Sequence, residues 1–124
     1  MAQGIRIFVY GTLMSGEPYH HRLMETARFL AKVRTAPAFQ LVDLGTYPGL
    51  VEDGETSVVG ELYEIDESLQ TVIDRLEGHP HLYQRSTITL EDGSPATAYL
   101  LPKKAARRYP VVPDGDWKKF QRRK

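Results

Sequence analysis

Glu77 occupies the most unusual position of any charged residue in this sequence. It closes the segment DESLQTVIDRLEG, four residues after Ile73 and eight after Leu69, so helical spacing places it beside an apolar stripe. Burial there, together with the negative end of the helix dipole, favours the protonated carboxyl and raises its pKa. We therefore predict a general acid/base that works near neutral pH. The alternative is a helix that ends one residue earlier and leaves Glu77 in water.

A second candidate site is the turn Tyr10-Gly11-Thr12-Leu13, which directly follows the strand-like run IRIFVY. Glycine permits unusual dihedral angles or a close approach of the backbone to a ligand. Consecutive peptide N–H groups at the end of a strand can form a nest for an anion or a developing oxyanion. The turn lacks the Gly-x-x-x-x-Gly-Lys spacing of a phosphate-binding loop. An ordinary exit from the strand is the simpler alternative.

The segment EGHPH offers a third set of residues, because Glu77, His79 and His81 are donor types that suit Fe(II), Mn(II) or Zn(II). They lie in a Gly/Pro turn of undefined shape, and the adjacent pair His20 and His21 would point apart in any regular element. We therefore predict no metal site. The chain has no cysteine and no G-x-S-x-G motif, which excludes a thiol nucleophile, a Cys-ligated zinc and a serine hydrolase of that type.

The elements that must position these residues are short strands and one clear helix. Asp66 suits the N-cap of the helix that carries Glu77, and Gly78 suits its C-terminal end. The stretch GTYPGLVEDGE has turn chemistry throughout. Strands are predicted at Ile5–Tyr10, Phe29–Thr35, Phe39–Leu44, Ser57–Ile65, Tyr83–Leu90 and Ala96–Leu101. We predict an α+β fold, a small mixed-sheet β-barrel with one main helix and short peripheral helices.

The 124 residues are predicted to form one domain, residues 1–102, and a basic C-terminal tail, residues 103–124, that wraps the surface or is partly disordered. The first part holds 7 Lys+Arg against 14 Asp+Glu, and the tail holds 9 against 2. A solvated tail is the simpler interpretation of this charge, and contact with nucleic acid is the disfavoured alternative. The N-terminus has no basic leader with a long apolar run, and no segment reaches the length of a membrane span. We expect a cytoplasmic protein without membrane contact.

The combination of motifs resembles the γ-glutamylcyclotransferase-like superfamily, especially its AIG2-like, γ-glutamylamine cyclotransferase branch. The resemblance is carried by FVYGTLMSGEPYHHRL, VVGELYEID and IDRLEGHPHLYQR, with a weaker match at TAYL, and it spans about residues 5–102. The first and third motifs in this order and separation are specific, whereas either one alone is not. The turn is Gly-Thr-Leu rather than the Gly-Ser-Asn of the classical γ-glutamylcyclotransferases, which favours γ-glutamylamines over glutathione as substrates.

The resemblance implies an enzyme that releases an amine from a small γ-glutamyl amide while the glutamyl part closes to 5-oxoproline. It needs no metal or organic cofactor. Matched residue by residue, Glu77 is the catalytic acid/base, and the substrate-binding residues are Tyr10, Gly11, Thr12, Leu13, Tyr83 and Tyr99. Two alternatives of other classes are a non-catalytic small-molecule-binding or regulatory module on the same fold, and a metal-dependent enzyme that uses Glu77, His79 and His81.

Overall fold

The computed structural model describes residues 4–122, which form a seven-stranded sheet and four helices. The strands are β1 (Ile5–Val9), β2 (Arg28–Arg34), β3 (Phe39–Asp43), β4 (Pro48–Glu52), β5 (Val59–Ile65), β6 (Gln84–Thr89) and β7 (Pro95–Leu100). The helices are α1 (His20–Leu23), α2 (Glu67–Glu77), α3 (Lys103–Ala106) and α4 (Trp117–Arg122). Within these residues no helix is long and apolar enough to span a membrane.

The sheet has the strand order β2-β5-β1-β7-β4-β3, and β6 pairs with β7 off this path. β1 runs antiparallel to β5, whereas β7 runs parallel to both β1 and β4. The predicted α+β class with a mixed sheet is confirmed. The sheet does not close into a full barrel, because β2 and β3 end the order and no ladder joins them in the described part of the chain. Since β1 has neighbours on both sides, the loop that follows it leaves from the interior of the sheet.

The strand β7 changes partner partway along its length, and the hydroxyl of Tyr10 lies at this fork. β7 pairs with β1 at Thr97 and with β4 at Leu100. The Tyr10 hydroxyl donates to the backbone carbonyl of Tyr99 at 2.6 Å and accepts from the N–H of Leu50 at 3.2 Å. It therefore satisfies two buried backbone groups at the point where the ladder divides, groups that would be costly to leave without partners.

The stretch predicted to consist of turns contains β4. Pro48 begins this strand, a position where the missing N–H of proline is tolerated. Leu50 and Val51 are buried, and β4 pairs antiparallel with β3 over its whole length. Local Pro-Gly chemistry favours a turn here, but the burial of apolar side chains and the pairing with β3 outweigh that preference. The prediction of a turn throughout this stretch is therefore wrong.

The main helix begins and ends as predicted. The Asp66 side chain accepts the N–H of Leu69 at 2.8 Å, and Gly78 takes the left-handed conformation with φ of 66°. Its apolar stripe is only partly buried: Ile73 is fully buried, whereas Val72 is 42% and Leu76 38% exposed. Ile73 and the partly buried Leu69 pack against the core, whereas Val72 and Leu76 remain available for other contacts.

The segment after Pro102 contributes to the hydrophobic core. Ala106, Val112 and Trp117 are buried, and Trp117 has no exposed surface. The boundary expected at residue 102 therefore does not coincide with an edge of the core. Two basic side chains of this segment, Lys103 and Lys118, pair with acidic residues before Pro102, and Lys119 pairs with Asp114 within the segment, which uses part of its positive charge.

Candidate active site

In the loop after β1, residues 11–13, the backbone carbonyl groups accept hydrogen bonds from the protein. The N–H groups of the same residues have no acceptor among the described residues, and we call them open. The carbonyls of Gly11 and Thr12 each accept a backbone N–H at 3.0 Å, and the Leu13 carbonyl accepts from Nδ1 of His20 at 2.9 Å. Within residues 4–122, the N–H groups of Gly11, Thr12 and Leu13 have no acceptor. Three consecutive open N–H dipoles make a local environment that favours an anionic group.

Gly11 is required because the loop passes very close to the start of β4. A Cβ atom on Gly11 would lie 2.6 Å from Cδ and 2.7 Å from Cγ of Pro48. The sequence suggests an unusual dihedral angle or a close approach to a ligand for this glycine, and the structure shows a different constraint, a close approach to the Pro48 ring. Gly11 does not have a positive φ. Larger residues at this position would push the loop away from β4.

Glu77 lies at the C-terminal end of α2, and its side chain lines the same cavity as the loop. The helix does not end one residue early, because the left-handed Gly78 follows Glu77 directly. In the described part of the chain no hydrogen bond or ion pair reaches the Glu77 carboxylate, and burial raises its pKa to about 7. A carboxyl group with this pKa can both accept and return a proton near neutral pH.

Three buried tyrosines form the inner wall of the cavity, and each hydroxyl donates a hydrogen bond to the protein. Besides the bond of Tyr10 already described, the Tyr83 hydroxyl donates to the carbonyl of Pro48 at 2.7 Å. The Tyr99 hydroxyl donates to Oδ1 of Asp74 at 2.5 Å. Burial raises the pKa of all three tyrosines, so their hydroxyls are protonated at pH 7. Since these protons are already donated to protein groups, the tyrosines contribute mainly the shape of the cavity.

The loop, Glu77 and the tyrosines enclose a cavity of about 220 Å³. All the site residues predicted from the sequence line it: Tyr10, Gly11, Thr12, Leu13, Glu77, Tyr83 and Tyr99. Their roles stay predictions, but both motifs meet in one place. Seven further residues line the cavity and are not among the predicted site residues: Phe8, Val9, Tyr19, Tyr47, Pro48, Leu76 and Leu82.

Four apolar or aromatic residues at the mouth of the cavity are partly exposed, by between 38% and 47%, and we call them the rim: Tyr19, Tyr47, Leu76 and Leu82. Of the residues that line the cavity, only Glu77 is charged. Clustered exposed apolar side chains commonly mark a binding site. Leu76 and Leu82 directly precede two of the predicted site residues in the sequence, which is the signal that could have identified them.

His79 and His81 do not join Glu77 in a metal site. Nδ1 of His79 accepts the backbone N–H of Arg85 at 2.9 Å, and His81 is exposed. No group of three or more His, Cys, Asp or Glu side chains within residues 4–122 is arranged to hold a metal ion. The metal-dependent alternative therefore has no geometric support in this part of the chain.

Comparison with known proteins links this chain to one family. Residues 7–119 match the family model described as "Gamma-glutamyl cyclotransferase, AIG2-like". A γ-glutamylcyclotransferase-like protein of Vibrio cholerae is 40% identical over 111 residues, which cover 90% of this chain and 93% of that protein. The human γ-glutamylaminecyclotransferase is 38% identical over 100 residues, covering 72% of this chain and 65% of that protein. The crystal structure of an AIG2-like protein from Mus musculus superposes with a TM-score of 0.77 at 28% identity, covering 93% of this chain and 90% of that one.

Proposed function

This chain belongs to the γ-glutamyl cyclotransferase, AIG2-like family of cyclotransferase enzymes, as its motifs predict, and we propose that it acts on γ-glutamyl amides of amines. In the proposed reaction the amine is released and the glutamyl part closes to 5-oxoproline. The human relative named γ-glutamylaminecyclotransferase supports the choice of amines as leaving groups. The Gly-Thr-Leu sequence of residues 11–13 supports the same choice.

One observation carries this proposal: a glutamate with a pKa of about 7 and a loop of open N–H groups line the same cavity. The proposed reaction needs both. The α-ammonium group of the substrate must lose a proton before it can attack, and the negative charges of the substrate need donors. A cavity that bound only neutral or anionic ligands would gain nothing from a half-buried carboxylate without a protein partner, because desolvation makes that carboxylate costly.

The proposed steps balance in protons and bonds. The Glu77 carboxylate takes a proton from the α-ammonium, and the free amine nitrogen attacks the γ-carbonyl carbon of the same molecule. The new C–N bond closes a five-membered ring and pushes electrons onto the carbonyl oxygen. As the carbonyl re-forms, the bond to the leaving nitrogen breaks and Glu77 returns its proton to that nitrogen. The regenerated Glu77 carboxylate then takes the second proton from the ring nitrogen, which becomes the lactam N–H, and passes it to the released amine, which departs as an ammonium ion. Both reacting groups belong to one bound molecule. Holding that molecule in a conformation that brings them together lowers the activation free energy by several kcal/mol.

The loop of residues 11–13 is assigned to the substrate α-carboxylate. Among the described residues no cationic side chain lines the cavity, so the open N–H groups of Gly11, Thr12 and Leu13 are the strongest donors available there for this anion. Binding the carboxylate there leaves the α-ammonium free to approach Glu77.

The rim is assigned to the leaving amine. With the α-carboxylate at the loop and the α-ammonium at Glu77, the γ-amide substituent extends toward Tyr19, Tyr47, Leu76 and Leu82. These side chains suit an alkyl or aryl stem. A leaving group that is an α-amino acid would bring a second carboxylate next to Glu77 with no cation in the lining to stabilise it. The preferred substrates are therefore amides of amines that carry no carboxylate beside the amide nitrogen.

The substitution Glu77→Gln tests the proposal. The variant keeps the shape of the side chain but cannot take a proton, so we expect 5-oxoproline formation from a γ-glutamyl alkylamide to fall about 10²–10⁴-fold. Binding of 5-oxoproline, measured by calorimetry, should persist because the loop is intact. Glu67→Gln, the same change on an exposed residue of α2, is the matched control and should retain activity. Undiminished turnover by the Glu77→Gln variant would contradict the role of Glu77.

A further inference from the structure

Glu61 is a buried charged residue that does not belong to the cavity. Its exposed fraction is 7%, and among the described residues it is the only buried side chain that carries a charge. It lies on β5, and it is not among the residues that line the active-site cavity. A buried carboxylate is costly unless it is fully paired, so its partners indicate what it stabilises.

The Glu61 carboxylate holds Ser15, which lies two residues beyond Leu13. Oε1 accepts the Ser15 N–H at 2.7 Å, and Oε2 accepts the Ser15 hydroxyl at 2.7 Å. The Tyr63 hydroxyl donates to Oε1 at 2.9 Å. Burial alone would raise the pKa of Glu61, but the bonds from Ser15 and Tyr63 and the charge of Lys118 together hold it below its usual value. Glu61 is therefore ionised at neutral pH.

Lys118 completes the contact from the opposite side. Its Nζ lies 3.7 Å from Oε2 of Glu61 and donates a hydrogen bond to the carbonyl of Ser15. The preceding residue, Trp117, is fully buried and stacks against Phe120, with 5.9 Å between ring centroids. Trp117 thus anchors α4 in the core and places Lys118 beside the loop. The N–H, hydroxyl and carbonyl groups of Ser15 are all bonded to this pair of charges.

We propose that Glu61 and Lys118 form a clamp that positions the substrate-binding loop. The inference rests on the proposed function, since the loop matters only if its N–H groups bind the substrate. The loop carbonyls are bonded at Gly11, Thr12 and Leu13, and the clamp bonds the chain again at Ser15. Between these bonds the three open N–H groups have little freedom to reorient. Donors held in place before the substrate arrives bind it without a cost of reorganisation.

The clamp also gives one residue of the basic C-terminal segment a role at the active site. Lys118 acts through Ser15 and does not contact the cavity, so it is a positioning residue. A loop that binds the α-carboxylate equally in the bound substrate and in the transition state affects KM more than kcat. Loosening the clamp should therefore raise KM and leave kcat largely unchanged.

Lys118→Met is the first test, with Lys119→Met as its matched control. Lys119 follows directly on α4 and lies 3.7 Å from Asp114, away from Ser15. For a γ-glutamyl alkylamide we expect Lys118→Met to raise KM about tenfold, as for the loss of a charged hydrogen bond, with kcat within about threefold. Lys118→Arg should restore most of the affinity, because it keeps the charge. Amide hydrogen exchange at Met14 and Ser15, whose N–H groups are bonded to the Gly11 carbonyl and to Glu61, should accelerate in Lys118→Met and not in Lys119→Met.

Glu61→Gln is the second test. The double variant Glu61→Gln/Lys118→Met distinguishes a clamp, in which both residues act through Ser15, from two residues that act independently. If both charges act through Ser15, the double variant should raise KM no more than the stronger single variant, a clear departure from additivity. Equal KM and equal exchange rates in Lys118→Met and Lys119→Met would overturn the clamp. Faster exchange with an unchanged KM would overturn its positioning role. If the unaltered protein formed no 5-oxoproline, the proposed function would fail, whereas the exchange rates would still decide whether the clamp holds the loop.

Discussion

Glu77 and Gly11 line the same cavity, although one ends the main helix and the other follows the first strand. The carboxylate has no bonded partner among the described residues, and the N–H of Gly11 has no acceptor there. A carboxylate at the end of a helix and N–H groups in a loop far away in the sequence thus line one small cavity.

The pH dependence of catalysis should report the ionisation of Glu77. Only the ionised carboxylate of Glu77 can accept the substrate proton. Because burial raises the pKa of Glu77 to about 7, this form predominates only above that pH. We expect kcat/KM for a γ-glutamyl alkylamide to rise as pH increases from 5.5 and to level off above about 7. Steady-state assays across this range measure the profile. A rate that does not change between pH 5.5 and pH 8 would speak against Glu77 as the base.

The Glu77→Gln variant should be more stable than the unaltered protein at alkaline pH. The pKa of Glu77 is raised from 4.5 to about 7, so the folded state disfavours the ionised form, and this cost grows as pH rises from 4.5 to 7. Glutamine avoids it. At pH 8 the free energy of unfolding should increase by at most about 3 kcal/mol, and below pH 4.5 the difference should vanish. Urea unfolding of both proteins at several pH values measures this difference. The prediction would be contradicted if the stability of the variant relative to the unaltered protein were lower at pH 8 than at pH 4.

Glu61→Gln is the matched control for that stability prediction, because the same substitution should have the opposite sign. The pKa of Glu61 is lowered, so its ionised form contributes stability above pH 4.5 that is lost as pH falls further. At pH 7 we expect the substitution to destabilise the protein by about 1–3 kcal/mol, as for other buried hydrogen bonds to a charged group.

A methyl group at Gly11 should displace the loop. In Gly11→Ala the new Cβ would lie 2.6 Å from Cδ of Pro48, so the loop or β4 must shift, at a cost of about 1–3 kcal/mol in stability. We also expect a higher KM, since the loop N–H groups move with the backbone. The double variant Gly11→Ala/Pro48→Ala removes the clashing ring atoms and should recover part of both losses. Thermal unfolding and steady-state kinetics measure the two effects, and equal losses in the single and double variants would show that the clash is not the cause.

The rim should select against leaving groups that carry a carboxylate. We expect kcat/KM for γ-glutamyl-n-butylamide to exceed that for γ-glutamylalanine at least about tenfold, as for one unpaired charge at a partly exposed site. Leu82, which is 47% exposed at the mouth, offers a place to reverse this preference. Leu82→Arg should raise kcat/KM for γ-glutamylalanine relative to the butylamide, whereas the neutral control Leu82→Gln should not. If both variants changed the ratio equally, charge at the rim would not explain the selectivity.

Much of the fold is readable from local patterns in this sequence. The ends of α2 follow from Asp66 and Gly78, because an N-cap side chain and a left-handed glycine act within one turn of the helix. Strand β4 was missed because Pro48 and Gly49 favour a turn locally. Its strand conformation depends on burial of Leu50 and Val51 and on pairing with β3, and these interactions are not local.

The sequence alone determined the family and the types of chemical group in the site, since the carboxylate of Glu77 and the turn after β1 belong to short contiguous motifs. Only the tertiary structure decided how they meet, because the placement of α2 against the loop depends on contacts between residues distant in the chain. The same holds for the rim and for the contact of Lys118 with Ser15 and Glu61. Burial, which raises the pKa of Glu77 and lets the bonds to Glu61 lower its pKa, is a property of the packed molecule. The pKa values of two glutamates, which are the same residue type in the sequence, are thereby shifted in opposite directions.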